Sequence, residues 1–211
     1  MALDNHKSVP PDWYYKSIYK DRNIFQKFVH TRRFREVSKL IESEEVKILD
    51  IGCADGVFTN VILEASNAKE LIAIDALESS INWAKKHWKD SRLKFSVADA
   101  HNLPFKSSTF DAVFALEVLE HVFEPLKVLK EIKRVMKRGA YAVFLVPAET
   151  LLFKIVWYLW TKGRGRVWKE SHLHAYSGDF LVKLIKLLGF KVEVDKKIIF
   201  STLHLIKVRK I

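Results

Sequence analysis

The chain has 211 residues, of which 49% are hydrophobic, and a formal net charge of +11. Length and composition predict one domain with one sizeable core. The single cysteine, Cys53, excludes an internal disulfide framework, and the start of the sequence lacks the form of a secretory signal, so we expect a cytoplasmic protein. The longest apolar stretch, 151–160, is shorter than the roughly 20 residues that a transmembrane helix needs.

The positive charge leaves the partner open. It suits nucleic acid, an anionic membrane surface or an acidic small substrate, because each of these is attracted to a basic surface. A lysine-rich surface that serves solubility or heat resistance explains the charge equally well. Charge therefore selects none of these alternatives.

The chain begins with a polar leader that ends at Pro10 and Pro11. Residues 12–43 are predicted to form one or two amphipathic helices, because their apolar residues recur at mostly helical steps. These apolar positions are Ile18, Phe25, Phe28, Val37, Leu40 and Ile41. We therefore expect an N-terminal helical cap over 1–45, followed by the main domain over 46–211.

Strand-like and helix-like segments alternate after residue 46, which is typical of parallel βαβ units. A helix at 179–188, ended by Gly189, precedes two β-rich runs, 191–197 and 198–208, which about two residues are expected to separate in an antiparallel hairpin. The prediction is an α/β fold with a doubly wound, mostly parallel seven-stranded sheet. The earlier segments are strands at 46–52, 70–75, 93–99, 110–117 and 139–146 and helices at 57–66, 79–89 and 124–137.

The turn after the first strand carries the sharpest signal, with Asp50, Gly52 and Gly56 in the stretch Leu-Asp-Ile-Gly-Cys-Ala-Asp-Gly. A glycine turn before a helix brings backbone N–H groups and the partly positive helix terminus against a ligand. The dinucleotide fingerprint G-x-G-x-x-G needs glycine at the position of Ala54. NAD therefore fits less well than another nucleotide-like cofactor.

Two more strands also end in aspartate. Asp75 at the end of the second strand could accept hydrogen bonds from ribose hydroxyls, and Asp99 at the end of the third could accept one from an adenine amino group. A single aspartate at a strand end is more often a turn or helix cap. The joint pattern favours a binding site at this edge of the sheet.

These motifs, together with Leu103-Pro-Phe and 110–115 (Phe-Asp-Ala-Val-Phe-Ala), resemble in order and spacing the class I S-adenosylmethionine (SAM) dependent methyltransferases. The chain is most similar to the type 11, or ubiquinone/menaquinone-methyltransferase-like, group over about 46–190. The resemblance implies the Rossmann-like methyltransferase fold, with SAM as cofactor and S-adenosylhomocysteine (SAH) as product. Ala54 departs from the commoner central glycine, and we expect it to be tolerated if the turn is αR or extended.

Carried over residue by residue, the resemblance implies roles for the strand ends. Asp50, Gly52 and Gly56 would shape the methionine end of the site, Asp75 would hold the ribose, and Asp99 with Ala100 would flank the adenine. The pocket is also expected to include Cys53, Ala54, Ala76 and Glu117.

Glu117 and His121 lie four residues apart after the fourth strand, on one helical face if a turn follows. Glu117 would lie near the sulfonium, and His121 could accept a proton from the acceptor. The alternative for His121 is a structural role in ordering the loop.

Two other kinds of site are disfavoured by the sequence. A metal site of Glu117, His121, His172 and His174 lacks a recognised ligand spacing. A nucleophilic role for Cys53 lacks an activating histidine next to it in sequence.

The insertion at 147–177 is expected to govern acceptor choice, as a lid or a docking helix. It joins an apolar, Trp-rich run at 151–160 to a basic cluster at 162–169, a combination that suits a bilayer interface.

The first hypothesis for the function is a methyltransferase with a small-molecule or lipid-like acceptor and peripheral membrane contact through 151–168. The alternative is a nucleic-acid methyltransferase that uses Arg164, Arg166 and Lys169 on phosphates. A non-catalytic SAM-binding protein is a third hypothesis, which the complete aspartate and glycine set disfavours.

Overall fold

The computed structural model describes residues 9–21, 23–42, 46–163, 165–168, 173–174, 176 and 179–211. The helices are α1 (Trp13–Tyr15), α2 (Ile24–Ser38), α3 (Val57–Ala65), α4 (Glu78–His87), α5 (Pro125–Val135), α6 (Leu151–Thr161) and α7 (Phe180–Leu187). A π-helical turn, Lys16–Lys20, follows α1, and a 3-10 turn, Arg166–Trp168, follows α6. The strands are β1 (Lys47–Ile51), β2 (Glu70–Asp75), β3 (Leu93–Val97), β4 (Phe110–Leu116), β5 (Met136–Pro147), β6 (Phe190–Ile198) and β7 (Leu203–Lys210).

The sheet has seven strands in the order β3-β2-β1-β4-β5-β7-β6. The first five pair in parallel, while β7 pairs antiparallel with both β5 and β6. Strand order reverses beside β1, and in such sheets ligands bind outside the carboxyl ends of the strands at the reversal. The predicted fold class is confirmed.

Both faces of the sheet are covered, which explains the near-continuous apolar runs of the central strands. Leu49 and Val113 pack on one face, and Ile48 and Phe114 pack on the other. Neighbours along each strand point to opposite faces, so each strand feeds two core layers. The aspartates at the strand ends are thereby held on a rigid edge.

The expected burial pattern of the N-terminal helices is wrong in part: Val37 is buried and Leu40 and Ile41 pack against the core as expected, but the two phenylalanines do not. Phe25 and Phe28 are 61% and 50% exposed, whereas the buried face of α2 consists largely of polar residues. This face carries His30, Arg33, Glu36 and Val37. The apolar period misleads here because the inward side of α2 meets charged groups near the strand ends.

The hairpin also differs from the prediction. Four residues, 199–202, separate β6 and β7, rather than about two. Ile199, Phe200 and Ser201 all have positive φ, so the chain reverses through left-handed backbone without a glycine. Phe200 is 70% exposed at the tip of this turn.

The Trp-rich run of the insertion forms α6 as a helix. Thr150 caps its first turn, because its side chain accepts a hydrogen bond from the Phe153 N–H at 3.2 Å. Most apolar side chains of α6 are exposed, including Leu151, Ile155 and Leu159. Within the described ranges, the helices are too short or too polar to cross a bilayer.

Candidate active site

A cavity of about 430 Å³ lies at the carboxyl ends of β1, β2 and β4. This volume is within the range typical of sites for cofactors and small molecules. Its wall includes every predicted site residue except Gly56: Asp50, Gly52, Cys53, Ala54, Asp75, Ala76, Asp99, Ala100, Glu117 and His121. The structure therefore brings together side chains that are up to 71 positions apart in the chain, since residues 50 and 121 share one cavity.

The glycine turn uses its N–H groups differently from the expectation. Gly52 and Cys53 both donate to the Ile74 carbonyl, at 2.8 and 3.0 Å, and Ala54 donates to the Asp75 carboxylate at 2.9 Å. These three N–H groups hold β1 to β2 and do not cradle a ligand. A phosphate would need such donors, so their use inside the fold argues against a dinucleotide here.

Gly52 is required by space as well as by backbone shape. Its φ is +71°, and a Cβ there would overlap the Val118 side chain. Gly56 has φ +80°, and a Cβ there would come within 2.8 Å of the Trp88 ring. Gly56 thus serves the packing of Trp88 and does not line the cavity.

Ala54 does not have the αR or extended backbone that was expected to make its methyl tolerable. Its φ is +46°, in the left-handed region. Such a backbone costs a residue with a Cβ about 1–2 kcal/mol. The hydrogen bond from the Ala54 N–H to the Asp75 carboxylate helps to hold the turn in this shape.

Asp50 is a buried carboxylate on the cavity wall. Thr59 Oγ1 donates a hydrogen bond to its Oδ2 at 2.6 Å. Burial raises the pKa of Asp50 to about 7, the Thr59 hydrogen bond opposes this, and the nearby Asp75 carboxylate adds to it. Asp50 is therefore poised to ionise when a cation enters the cavity.

Asp75 and Asp99 are both anchored by local hydrogen bonds. The Oδ1 atom of Asp75 accepts from Leu77 N at 2.8 Å, while Asp99 Oδ1 accepts from the His101 N–H and lies 2.7 Å from His101 Nδ1. Burial acts to raise the pKa of Asp99, but the hydrogen bonds from His101 lower it below its usual value. Both carboxylates keep lone pairs that can accept further bonds.

Glu117 and His121 both line the cavity, on a turn rather than a helix. His121 N donates to Val118 O at 2.9 Å, which closes the turn. Glu117 has φ +58°, and its carboxylate forms an ion pair with the buried Arg33 of α2. The His121 ring lies 6.1 Å from the ring of Trp168.

The opposite wall is formed by the N-terminal segment 9–20 (hereafter the N-terminal strap) together with Trp168. Rings of Trp13 and Tyr14 lie 6.2 and 6.0 Å from that of Trp168. Burial, with the Glu117 charge as the next cause, raises the pKa of Tyr14 above its ordinary value, so its hydroxyl stays a hydrogen-bond donor at neutral pH.

Sequence reasoning missed Trp13, Tyr14, Asp55, Arg33 and Trp168. Asp55 lies in the glycine turn itself, whereas only tertiary packing brings the other four residues to the strand ends. One signal was present for α2: His30, Arg33 and Glu36 recur at helical spacing and mark a polar inward face.

Other predicted groups lie elsewhere. His174 Nε2 is 3.2 Å from the Phe123 carbonyl, and His172, Arg164 and Lys169 lie outside the described residues. Burial raises the pKa of the Cys53 thiol, which keeps it protonated. No group of three or more His, Cys, Asp or Glu in the described part of the chain could hold a metal ion.

Comparison with known proteins agrees with this architecture. Residues 49–144 match the family model described as a methyltransferase domain. A demethylmenaquinone methyltransferase of Thermotoga maritima is 29% identical over 181 residues, which cover 77% of this chain and 78% of that protein. A ubiquinone biosynthesis O-methyltransferase of Cereibacter sphaeroides is 32% identical over 111 residues, 52% of this chain and 44% of that protein.

The fold has a full-length structural match. The crystal structure of a SAM-dependent methyltransferase of Thermotoga maritima, described as a possible histamine N-methyltransferase, superposes with a TM-score of 0.75. It is 20% identical and covers 100% of both chains. These matches identify the chain as a SAM-dependent methyltransferase whose methyltransferase domain, 49–144, is similar to the type 11 group of class I enzymes. SAM is accordingly its cofactor, and the enzyme is a methyltransferase.

The cavity has the chemistry that this cofactor requires. SAM presents a cationic sulfonium and an ammonium, and Asp50, Asp75 and Glu117 are carboxylates on the cavity wall. Opposite charges attract strongly where water is excluded. The residues present therefore fit a cationic cofactor better than a phosphate-bearing one.

Proposed function

We propose that this methyltransferase acts on a small-molecule or lipid-like acceptor that enters beside Trp168. One observation carries the proposal: the aromatic wall of the cavity continues into a helix with an exposed apolar surface. Gly165 N donates to Trp160 O at 3.1 Å, and Trp168 N donates to Gly165 O at 2.9 Å. This short turn joins α6 directly to the cavity wall.

The names of the relatives support an acceptor of the quinol class. The demethylmenaquinone and ubiquinone methyltransferases act, by their names, in quinone chemistry. An isoprenoid quinol has a reactive ring and an apolar tail. The ring suits the aromatic wall formed by Trp13, Tyr14 and Trp168, and the tail suits the exposed side of α6.

We assign the cofactor contacts as follows. Asp50, Gly52, Cys53 and Ala54 shape the methionine end, Asp75 with Ala76 holds the ribose, and Asp99 with Ala100 flanks the adenine. Residues 1–45 act as a cap on the domain over 46–211, since Val9 to Pro11, Trp13 and Tyr14 contribute to the cavity wall. The 147–177 insertion acts as the acceptor-side lid.

The residues of this chain supply orientation, charge and exclusion of water. SAM, when bound, supplies an electrophilic methyl group for in-line attack by the acceptor. Glu117 places a negative charge near the sulfonium, and His121 accepts the acceptor's proton. Tyr14 donates a hydrogen bond and orients the acceptor, while Trp13 and Trp168 exclude water.

We further propose that α6 contacts an anionic membrane surface. Its exposed apolar residues are accompanied by the exposed cations Lys154, Lys162 and Arg166, and Lys162 Nζ lies 4.2 Å from the centre of the Tyr158 ring. Apolar and aromatic side chains beside lysines fit the boundary between headgroups and acyl chains. The charge of the helix selects anionic over zwitterionic lipid.

Vesicle flotation tests this contact. Wild-type protein should float with vesicles that contain anionic lipid and should remain largely free with purely zwitterionic ones. Ile155→Glu with Leu159→Glu should abolish flotation, whereas Leu187→Glu, at an 84% exposed position on α7, should not. Equal flotation of both variants would remove α6 from the contact.

Methyl transfer from labelled SAM tests the acceptor class. Purified protein should release SAH with a demethylated isoprenoid quinol in vesicles, and more slowly with a tailless quinol in solution. Label transfer to RNA or DNA and not to either quinol would favour the nucleic-acid alternative. Absence of transfer to both quinols, with SAM binding intact, would exclude the quinol class.

A further inference from the structure

Glu117 has a backbone shape that its surroundings must enforce. A glutamate with φ +58° is in the left-handed region, which is unfavourable for a residue with a Cβ. The Glu117 N–H donates to the Leu145 carbonyl at 2.7 Å, which fixes the backbone against β5. Strained residues of this kind cluster at functional sites. This shape turns the side chain out of the line of β4.

Arg33 meets that side chain from α2. The Arg33 side chain is only 7% exposed, the Glu117 side chain is 17% exposed, and the two form an ion pair. A buried guanidinium without a partner is strongly destabilised, so each group depends on the other. The Phe58 ring covers the guanidinium, with its centre 5.2 Å from Arg33 Cζ.

A polar chain continues behind Arg33 to the other wall of the cavity. Arg33 donates to His30 Nδ1 at 3.2 Å, which leaves the proton of the neutral imidazole on Nε2. His30 Nε2 lies 3.4 Å from Ser17 Oγ, and Ser17 Oγ donates to the Tyr14 carbonyl at 2.9 Å. Burial, and then the Arg33 charge, lowers the pKa of His30 to about 3, so the ring stays neutral.

We propose that Arg33 is a positioning residue for methyl transfer: it holds the Glu117 carboxylate directed at the sulfonium, and His30 and Ser17 tie this carboxylate to the N-terminal strap. Among the described residues, Tyr14 and Glu120 are titratable groups whose pKa the Glu117 charge affects, and His121 lines the same cavity. Glu120 is buried and its pKa is raised by burial and by the Glu117 charge. Arg33 supplies the positive charge that pairs with the Glu117 carboxylate, and Glu120 needs no positive partner while it stays protonated.

The inference rests on the placement of Glu117 beside the sulfonium under the proposed function, and not on the identity of the acceptor. Only SAM carries the sulfonium charge, whereas SAH presents a neutral thioether at the same position. A carboxylate that is directed at this position therefore favours SAM over SAH. A residue that merely pinned α2 to the sheet would affect both ligands equally.

The experiment is a double-mutant cycle on ligand affinity, measured by calorimetry with SAM and with SAH. The variants are Arg33→Met, Glu117→Gln and the double variant. Arg35→Met is the matched control, since Arg35 is on the same helix with a side chain that is 56% exposed. Arg33→Lys, which keeps the charge, provides rescue, and it also serves if Arg33→Met does not fold.

We expect each single variant to weaken the binding of SAM by about tenfold or more and the binding of SAH by less than about threefold. The double variant should bind SAM no more weakly than the worse single variant, and Arg33→Lys should recover most of the SAM preference. Additive losses, equal losses for SAM and SAH, or tighter SAM binding by Arg33→Met would overturn the inference. Wild-type SAM affinity in Glu117→Gln would overturn the placement of Glu117. Weaker SAM binding in Glu117→Gln, together with wild-type SAM affinity in the Arg33 variants, would overturn the role of Arg33 alone.

Discussion

The Asp55 carboxylate accepts a hydrogen bond from the Tyr15 backbone N–H at 2.7 Å, so the glycine turn after β1 holds the N-terminal strap in place. Trp88 Nε1, from the residue that follows α4, donates to the Asp55 carbonyl at 2.7 Å and fixes Asp55 in place. The Tyr15 ring also packs on His87, with ring centres 4.2 Å apart. One residue of the cofactor turn thereby sets how the cavity is covered.

Asp55→Ala should speed the release of SAM and SAH. Burial raises the pKa of Asp55 to about 7, so the effect is measured above about pH 8, where the carboxylate is largely ionised. Loss of a hydrogen bond to a charged group then costs about 1.5–3 kcal/mol, which corresponds to roughly 10–100-fold in the population of the closed strap. Stopped-flow tryptophan fluorescence can measure the dissociation rate. Asp90→Ala, which alters a half-buried carboxylate outside the cavity wall, should leave the rate unchanged. A normal rate in folded Asp55→Ala would show that the strap is held by its aromatic contacts alone.

Asp75→Ala should weaken the binding of SAM by at least about tenfold, because charge-assisted hydrogen bonds to the ribose contribute about 1.5–3 kcal/mol each. The same carboxylate holds Ala54 N and Leu77 N, so the variant also loosens the turn. Asp75→Asn, which keeps one acceptor oxygen, separates the two effects. Calorimetry that gave wild-type affinity for a folded Asp75→Ala would remove Asp75 from the ribose site.

SAM affinity should depend on pH through Asp50. The pKa of Asp50 in the free protein is raised to about 7 by burial, and a bound cation favours the ionised form. Affinity should therefore be full above about pH 8 and fall as pH drops below 7, with less change for SAH. Asp50→Asn should flatten this dependence. The pKa of Asp55 is also raised to about 7 by burial, so Asp55→Asn must be titrated alongside, and a flat profile in that variant alone would reassign the effect.

Much of the site was predictable because parallel strands place their carboxyl ends on one edge. This geometry brings Asp50, Asp75 and Asp99 together from the alternation of segments alone. Arg33 and Tyr14 were not predictable in the same way, since no spacing in the sequence says which helix face meets the edge. The exposed Phe25 and Phe28 show that the spacing of apolar residues predicts a helix but does not predict which of its sides the tertiary structure buries.

Ala54→Gly should be neutral or slightly stabilising. Glycine relieves about 1–2 kcal/mol of left-handed strain and gives back about 0.5–1 kcal/mol in unfolded-chain entropy. Ala54→Val should destabilise the protein, since a β-branched residue at φ +46° is a severe outlier. Thermal unfolding of the three proteins tests this order. A lower melting temperature for glycine than for alanine would mean that the methyl has favourable packing contacts.

Glu36 should make stability depend on acid pH. It is buried on α2, where Lys196 and Lys39 donate to it at 2.6 and 2.9 Å, and these hydrogen bonds lower its pKa to about 2. A lowered pKa stabilises the fold fully above the unfolded value of about 4.3, and this contribution is lost as pH falls towards 2. Glu36→Gln should therefore lower the free energy of unfolding by about 1.5–3 kcal/mol at pH 7. Between pH 5 and 3, the free energy of unfolding of this variant should fall less steeply than that of the wild type. Urea denaturation at several pH values measures both effects, with Glu64→Gln as an exposed control that keeps the wild-type slope. Parallel curves for wild type and Glu36→Gln would show that the link between α2 and β6 does not depend on this charge.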